Sequence, residues 1–256
     1  MRKRQKMVLV AAVLSAGLLA VSSSGLELRY WLIAGLSLLT WLLTGWALRE
    51  GLAGWEWLTV LLPSVLFTAA AGLFYILLPE SWLSRLSIML MFGLGQYALL
   101  LSGNIFSVAM IRTIALFRAA SAVGFVMTLL TAFFLFNTIL SFRLIFWQTG
   151  IAVSVSSFLL LLTALWSVEL ENRISTKVLQ YSAVLAFIMG FFAIAVSFWP
   201  VSVAVTSLFF CTMLYVLMGV VQHHFVQRLF SRTIWEYVTV GTVVTITMLL
   251  TAGWGV

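Results

Sequence analysis

The residues best suited to proton transfer in this 256-residue chain are the adjacent pair His223 and His224, with Glu236 further along. Histidine acts as a base near neutral pH when a carboxylate orients it. Neighbouring positions on a helix point about 100° apart, and neither histidine has a second one four residues away. The pair therefore lacks the spacing of a two-histidine metal helix. An interfacial or structural role is the plainer account of both, and no metal site or cofactor is expected. Arg112 and Arg118 offer different chemistry. They sit in a segment, residues 102–118, where Ile105, Val108, Ile111 and Ala115 recur at helical spacing. Such a segment reads as an interfacial helix on the cytoplasmic surface, or as the start of a fifth span. Its arginines can grip a lipid phosphate or a phosphorylated headgroup, though anchoring of a loop requires no more than the same two charges. Glu169, Glu171, Arg173, Arg228 and Arg232 can join these groups in one polar cluster at the inner interface.

Within or just beyond the apolar stretches stand Gln96, Asn104, Asn137, Ser154, Ser156 and Ser157. Gln96, Asn137 and Ser156 are candidates for lining a polar path, but amides and hydroxyls also join helices by hydrogen bonding. Ser182, Ala186 and Gly190 form a strip of small residues at four-residue spacing, which favours close packing of two helices, and internal packing is preferred to a contact with another subunit. The motifs of a nucleotide-binding phosphate loop, a zinc-protease helix and a hydrolase nucleophile elbow are all missing. Nor does any Asp, Glu, Lys or Arg fall near the middle of an apolar stretch, where proton- and ion-coupled transporters often keep one. Cys211 is the single cysteine, so an intrachain disulfide and a cysteine metal site are both excluded.

What must position these residues is a set of membrane spans. Hydrophobic residues make up 63% of the chain and charged residues 8%, against about 25% charged in soluble domains. Nine apolar stretches, at residues 7–25, 30–48, 57–78, 84–102, 119–140, 148–168, 178–198, 200–221 and 236–254, are each close to the roughly 20 residues that cross the hydrocarbon core as helix. Backbone groups in lipid must be satisfied within the segment, which favours helices, and continuous apolar runs do not match the alternation of a barrel. The expected fold is all-α: a polytopic bundle forming a single transmembrane domain over residues 1–256.

Lys and Arg placement sets the expected orientation. With the N-terminus cytoplasmic, inner segments hold Arg2, Lys3, Arg4, Lys6, Arg49, Arg112, Arg118, Arg173, Lys177, Arg228 and Arg232, and outer segments hold Arg29, Arg85 and Arg143, which accounts for all 14 basic residues. Nine spans then place the C-terminus outside. Ten tryptophans fall near expected helix ends, where the amphipathic ring suits the headgroup layer; Trp41 alone lies deeper. Residues 1–25 read as a first anchor helix, with a cleavable signal peptide as the alternative, because a basic start, an apolar run and Ala20-Val21-Ser22 fit both. Pro63 is expected to bend the third span, and Phe198-Trp199-Pro200 to make a hairpin turn with proline opening the next helix.

The leading functional reading is a non-enzymatic scaffold or accessory subunit of a membrane assembly, since short loops and little buried charge ask for nothing more. A small-solute or lipid permease is second, through a polar path at Gln96, Asn137 or Ser156. Third is an interfacial enzyme acting on a lipid or lipid-linked phosphate, which requires Arg112 or Arg118 to meet His223 or His224 and a glutamate. Expected partners are membrane lipids and another membrane protein. The scattered basic residues form no concentrated face for nucleic acid. A prokaryotic cytoplasmic membrane is the working location.

Overall fold

The computed structural model describes residues 2–22, 24–49, 54–79, 81–109, 116–171 and 173–253. Among the described residues every regular element is a helix: α1 (Lys3–Ser22), α2 (Leu26–Leu48), α3 (Glu56–Thr59), α4 (Leu62–Ile76), α5 (Trp82–Ala109), α6 (Phe117–Ser141), α7 (Phe146–Glu169), α8 (Thr176–Val196), α9 (Val203–Phe225) and α10 (Ser231–Thr251). The one-turn α3 and α4 together make one span, so nine described stretches are long and apolar enough to cross a membrane. Helix is the economical choice because each amide finds its acceptor within its own segment.

Contacts divide the chain into two compact units, Met1–Thr131 with Leu170–Arg173, and Ala132–Glu169 with Ile174–Val256. In the first, α1 packs on α5 and α2, and α4 packs on both α2 and α5. Val10, Leu14, Leu18, Phe67, Phe92 and Leu100 are buried there, and the Phe67 and Phe92 rings stack with centroids 5.5 Å apart. Lipid tails are as apolar as leucine, so close packing and hydrogen bonds, more than burial itself, hold such helices together. Gly93 illustrates the closeness: a Cβ there would lie 2.7 Å from the Ser15 hydroxyl of α1. In the second unit α7 and α8 form the most extensive pair, α9 packs on both, and α10 packs chiefly on α9. Its core holds Val153, Leu161, Leu165, Trp166, Phe210 and Leu214.

Several sequence expectations shift. The segment after residue 102 does not start a separate surface helix: α5 continues to Ala109, with Ser102, Phe106 and Ser107 buried. Gly103 lies inside the helix with its bare face against Val60, whose Cγ1 would be 3.0 Å from a Cβ. At 28 residues α5 is about 42 Å long at 1.5 Å per residue. That exceeds the hydrocarbon core, and a hydropathy reading reports the apolar part alone. Arg112, Ile111 and Ala115 lie outside the described residues, as does Trp254. Pro63 stands in the first turn of α4, after a break at Val60 and Leu61, as its missing N–H dictates. Pro200 does not open a helix: it lies in the extended link before Ser202, which holds the position just ahead of α9 without a side-chain capping bond, and the Pro200 carbonyl accepts from Gly253 N at 3.1 Å. Trp166 leaves the aromatic belt and is 2% exposed inside the second unit. His223 and His224 lie in the last turn of α9, and Glu236 lies within α10, so none of the three is a loop residue.

Candidate functional site

The histidines lie at the end of the second unit where α7 and α9 finish and α8 and α10 begin. His223 Nδ1 is 2.8 Å from the carbonyl of Gly219, one turn back on its own helix, and its ring lies edge-on to Tyr237 of α10 with centroids 5.8 Å apart. A hydrogen bond at that distance puts the proton on Nδ1. His224 points the other way, as adjacent helical positions must, with Nε2 3.5 Å from the Tyr181 hydroxyl of α8. Glu236 is spent elsewhere: its Oε1 meets Arg232 Nε at 3.3 Å, four residues back, and both side chains are largely exposed. Glu169 accepts from the Ser175 hydroxyl at 2.6 Å, and Ser175 Oγ accepts in turn from Val178 N at the start of α8. The imidazole of His223 is therefore bonded within α9 and touches the Tyr237 ring of α10, while that of His224 reaches the Tyr181 phenol of α8, contacts that join α9 to both neighbours. Gln222 adds to them by donating from Nε2 to the Ala164 carbonyl of α7 at 3.0 Å. Sequence reasoning missed Gln222, although a glutamine in the last turn of a span, beside the two histidines, was the available signal.

Arg118 is exposed on the first turn of α6 in the first unit, whereas His223 and His224 belong to the second. Among the described residues no group of three or more His, Cys, Asp or Glu side chains is placed to hold a metal ion.

The polar-path candidates fall into different surroundings. Asn137 Nδ2 donates to Ser207 Oγ of α9 at 3.2 Å. The Ser156 hydroxyl returns to its own helix, 2.8 Å from the Ala152 carbonyl and 3.0 Å from that of Val153. Gln96 is fully buried in the first unit, and neither its Nε2 nor its Oε1 has a hydrogen-bond partner. That unit contains further buried hydroxyls that the sequence reading passed over. Thr40 Oγ1 donates to Thr68 Oγ1 at 3.0 Å, linking α2 to α4, and Thr68 donates to the Ser64 carbonyl at 2.9 Å. Threonines are common in apolar helices, so only the contact distinguishes these two.

Ser182, Ala186 and Gly190 are all buried along α8. Opposite Gly190 stand Gly150 and Ser154 of α7: a Cβ on Gly190 would be 3.0 Å from the Gly150 carbonyl oxygen and 3.0 Å from Ser154 Cβ. The two backbones thus approach more closely than any larger side chain allows, the geometry that small residues at four-residue spacing serve. An apolar groove of about 130 Å³ runs beside this seam, lined by Phe187, Phe191 and Ile194 among others.

A family model described as "Protein of unknown function (DUF5656)" matches residues 8–251. No curated protein and no solved structure matches the chain.

Proposed function

The chain belongs to that family and is a multi-pass helical membrane protein, and on that premise we propose that it is a non-enzymatic accessory subunit that docks on a partner's transmembrane helix through α10. The observation that carries this reading is the exposure of α10. Of its 21 residues the buried ones are Gly241 and Met248, on the side that meets α9. Its other side presents Trp235, Thr239, Thr242, Ile246 and Leu250, all exposed. On this face Thr239 turns its hydroxyl onto the carbonyl of Trp235 at 2.7 Å and so presents its methyl group. Small and hydroxyl-bearing residues are enriched where membrane helices meet.

The surplus of Lys and Arg on alternate connections supports an N-terminus on the cytoplasmic side of a prokaryotic cytoplasmic membrane. Retention of α1 as part of the folded protein is supported by its packing, with Val10 and Leu14 fully buried and Ser15 against Gly93. Cleavage after residue 22 would strip that face from α5.

The test is extraction from native membranes in a lipid-preserving polymer, followed by mass spectrometry. A protein partner at fixed stoichiometry, lost when Thr239 and Thr242 are both replaced by Phe at unchanged abundance, is the expected result. A partner unaffected by those substitutions, or none at all, overturns docking through α10. One observation favours a second reading, a small-solute permease: the buried Gln96 amide has four hydrogen-bonding positions to offer and makes none of them within the protein. Solute uptake abolished by Gln96→Leu in a correctly inserted protein would shift the conclusion to that reading.

A further inference from the structure

At the end of the second unit opposite the histidines, where α6 and α8 finish and α7 and α9 begin, lies a pocket of about 400 Å³. Its walls are mixed. Leu140, Leu144 and Val196 are apolar, while Arg143, Ser202 and Thr206 bring polar atoms. Two features of this pocket agree in sign, and a third concerns the backbone that holds Arg143.

The first is charge. Arg143 is exposed and has no carboxylate partner among the described residues. The carboxylates of this unit, Glu169 at the end of α7 and Glu236 near the start of α10, both belong to the other end. So do its remaining cations, Ile174–Val256 placing Lys177 at the start of α8, Arg228 after α9 and Arg232 at the start of α10. Among the described residues of this unit, Arg143 is therefore the one cation at this end, with no carboxylate beside it. The second is the open start of α9. Ser202 has extended backbone geometry at the cap position but makes no side-chain capping bond. The amides of residues 203–205 have no acceptor within the helix, and the aligned dipoles of a 23-residue helix favour an anion there. The hydroxyls of Thr149, Ser197 and Thr206 are occupied with backbone carbonyls, and Ser202, these amides and the guanidinium are donors that the pocket can offer. The third is backbone conformation. Arg143, two residues beyond the end of α6, has φ 48°, a left-handed position where glycine or asparagine is usual and other residues cost roughly 1–2 kcal/mol.

We propose that this pocket binds a phosphate group, gripped by the Arg143 guanidinium and the uncapped start of α9. A planar fork of N–H donors and a ring of backbone amides suit a tetrahedral anion with several oxygens. The volume is near the lower end of ordinary ligand pockets, enough for a headgroup with its first carbons against Leu140, Leu144 and Val196. The phosphate comes from an acidic lipid or from a soluble phosphorylated molecule, and this inference is independent of docking through α10.

The experiment uses the full chain in nanodiscs of phosphatidylcholine with or without phosphatidylglycerol, with inorganic phosphate as the soluble probe. Native mass spectrometry reads bound lipid, and thermal unfolding reads protection by phosphate. Retention of phosphatidylglycerol over phosphatidylcholine, weakened about tenfold by Arg143→Gln through loss of a charge-assisted contact, supports the site and assigns it to lipid. Protection by inorganic phosphate alone, lost in the same variant, supports the site and assigns it to a soluble ligand. Ser202→Asp separates binding from folding: it caps α9 and preserves or raises thermal stability, yet sets a negative charge against the anion and abolishes binding. Absence of both preferences in the wild-type protein, or their survival in both variants, overturns the proposal.

Discussion

Replacing Gly190 by Ala isolates the closeness of the α7–α8 seam in a single methyl group. That methyl would sit 3.0 Å from the Gly150 carbonyl oxygen and 3.0 Å from Ser154 Cβ, where ordinary contact begins at 3.4 Å. A backbone oxygen cannot swing aside as a side-chain tip can, so the helices must separate by a few tenths of an ångström along a seam that also holds Ser182 and Ala186. Overpacking of this kind costs about 1–3 kcal/mol. Alanine in place of glycine returns roughly 1 kcal/mol through helix propensity, so the net loss is about 0–2 kcal/mol and ambiguous alone. Gly241 of α10 supplies the correction. It belongs to the same unit and is also buried, but a Cβ there lies 3.4 Å from Val216 Cγ2, an ordinary contact. The difference between Gly190→Ala and Gly241→Ala cancels propensity and leaves the overpacking cost of about 1–3 kcal/mol. Gly190→Val should cost more than Gly190→Ala, because a β-branched side chain cannot turn freely into the groove beside Phe187 and Phe191. Reversible unfolding in mixed micelles, titrated with a denaturing detergent, measures all three. Equal stability of Gly190→Ala and Gly241→Ala, within the roughly 0.5 kcal/mol typical of uneventful substitutions, would refute the argument that backbone approach fixes this seam.

Gly219→Ala should loosen α10, because its Cβ would lie 2.5 Å from Tyr237 Cε1 and from the Tyr237 hydroxyl; hydrogen exchange along α10 should rise, and adding Tyr237→Ala should leave no further loss. Strict additivity of the two substitutions would break that account. Gln96→Leu should raise the stability of the first unit by about 1–3 kcal/mol, the cost of a buried amide without partners. A measured loss would mean that the amide holds a bound water or solute.

The helical membrane class was legible from residue types alone, because lipid demands long apolar runs and water confines charge to their ends. Boundaries were less so, and the misplacements share a cause. Hydropathy marks where a stretch is apolar, whereas a helix continues until its backbone bonds stop: α5 runs on through Gly103 and Asn104, and α10 starts at Ser231 with Arg232 and Glu236 already helical. The strip Ser182, Ala186 and Gly190 could be seen on α8; its counterpart on α7, Gly150 and Ser154, has the same four-residue spacing of small residues and was a signal left unused. Trp166 has the position of a belt residue and the surroundings of a core residue, and only packing separates the two. The pocket beside Arg143 was invisible, since its residues come from four helix ends and their connections.

The packing of α1 against α5 also sets a waiting time. During synthesis α2 follows α1 at once and takes up its Gly17 side through Leu36. The partner for Ser15, Gly93, lies 78 residues further along the chain. At about 5–20 residues per second, α1 spends roughly 4–16 s with that face against lipid or against the insertion machinery. Ser15 passes this interval without an exposed donor, because its hydroxyl donates to the Ala11 carbonyl of its own helix at 2.8 Å. A side chain that satisfies itself can wait for its neighbour, and α1 carries such a residue at the point where α5 later arrives.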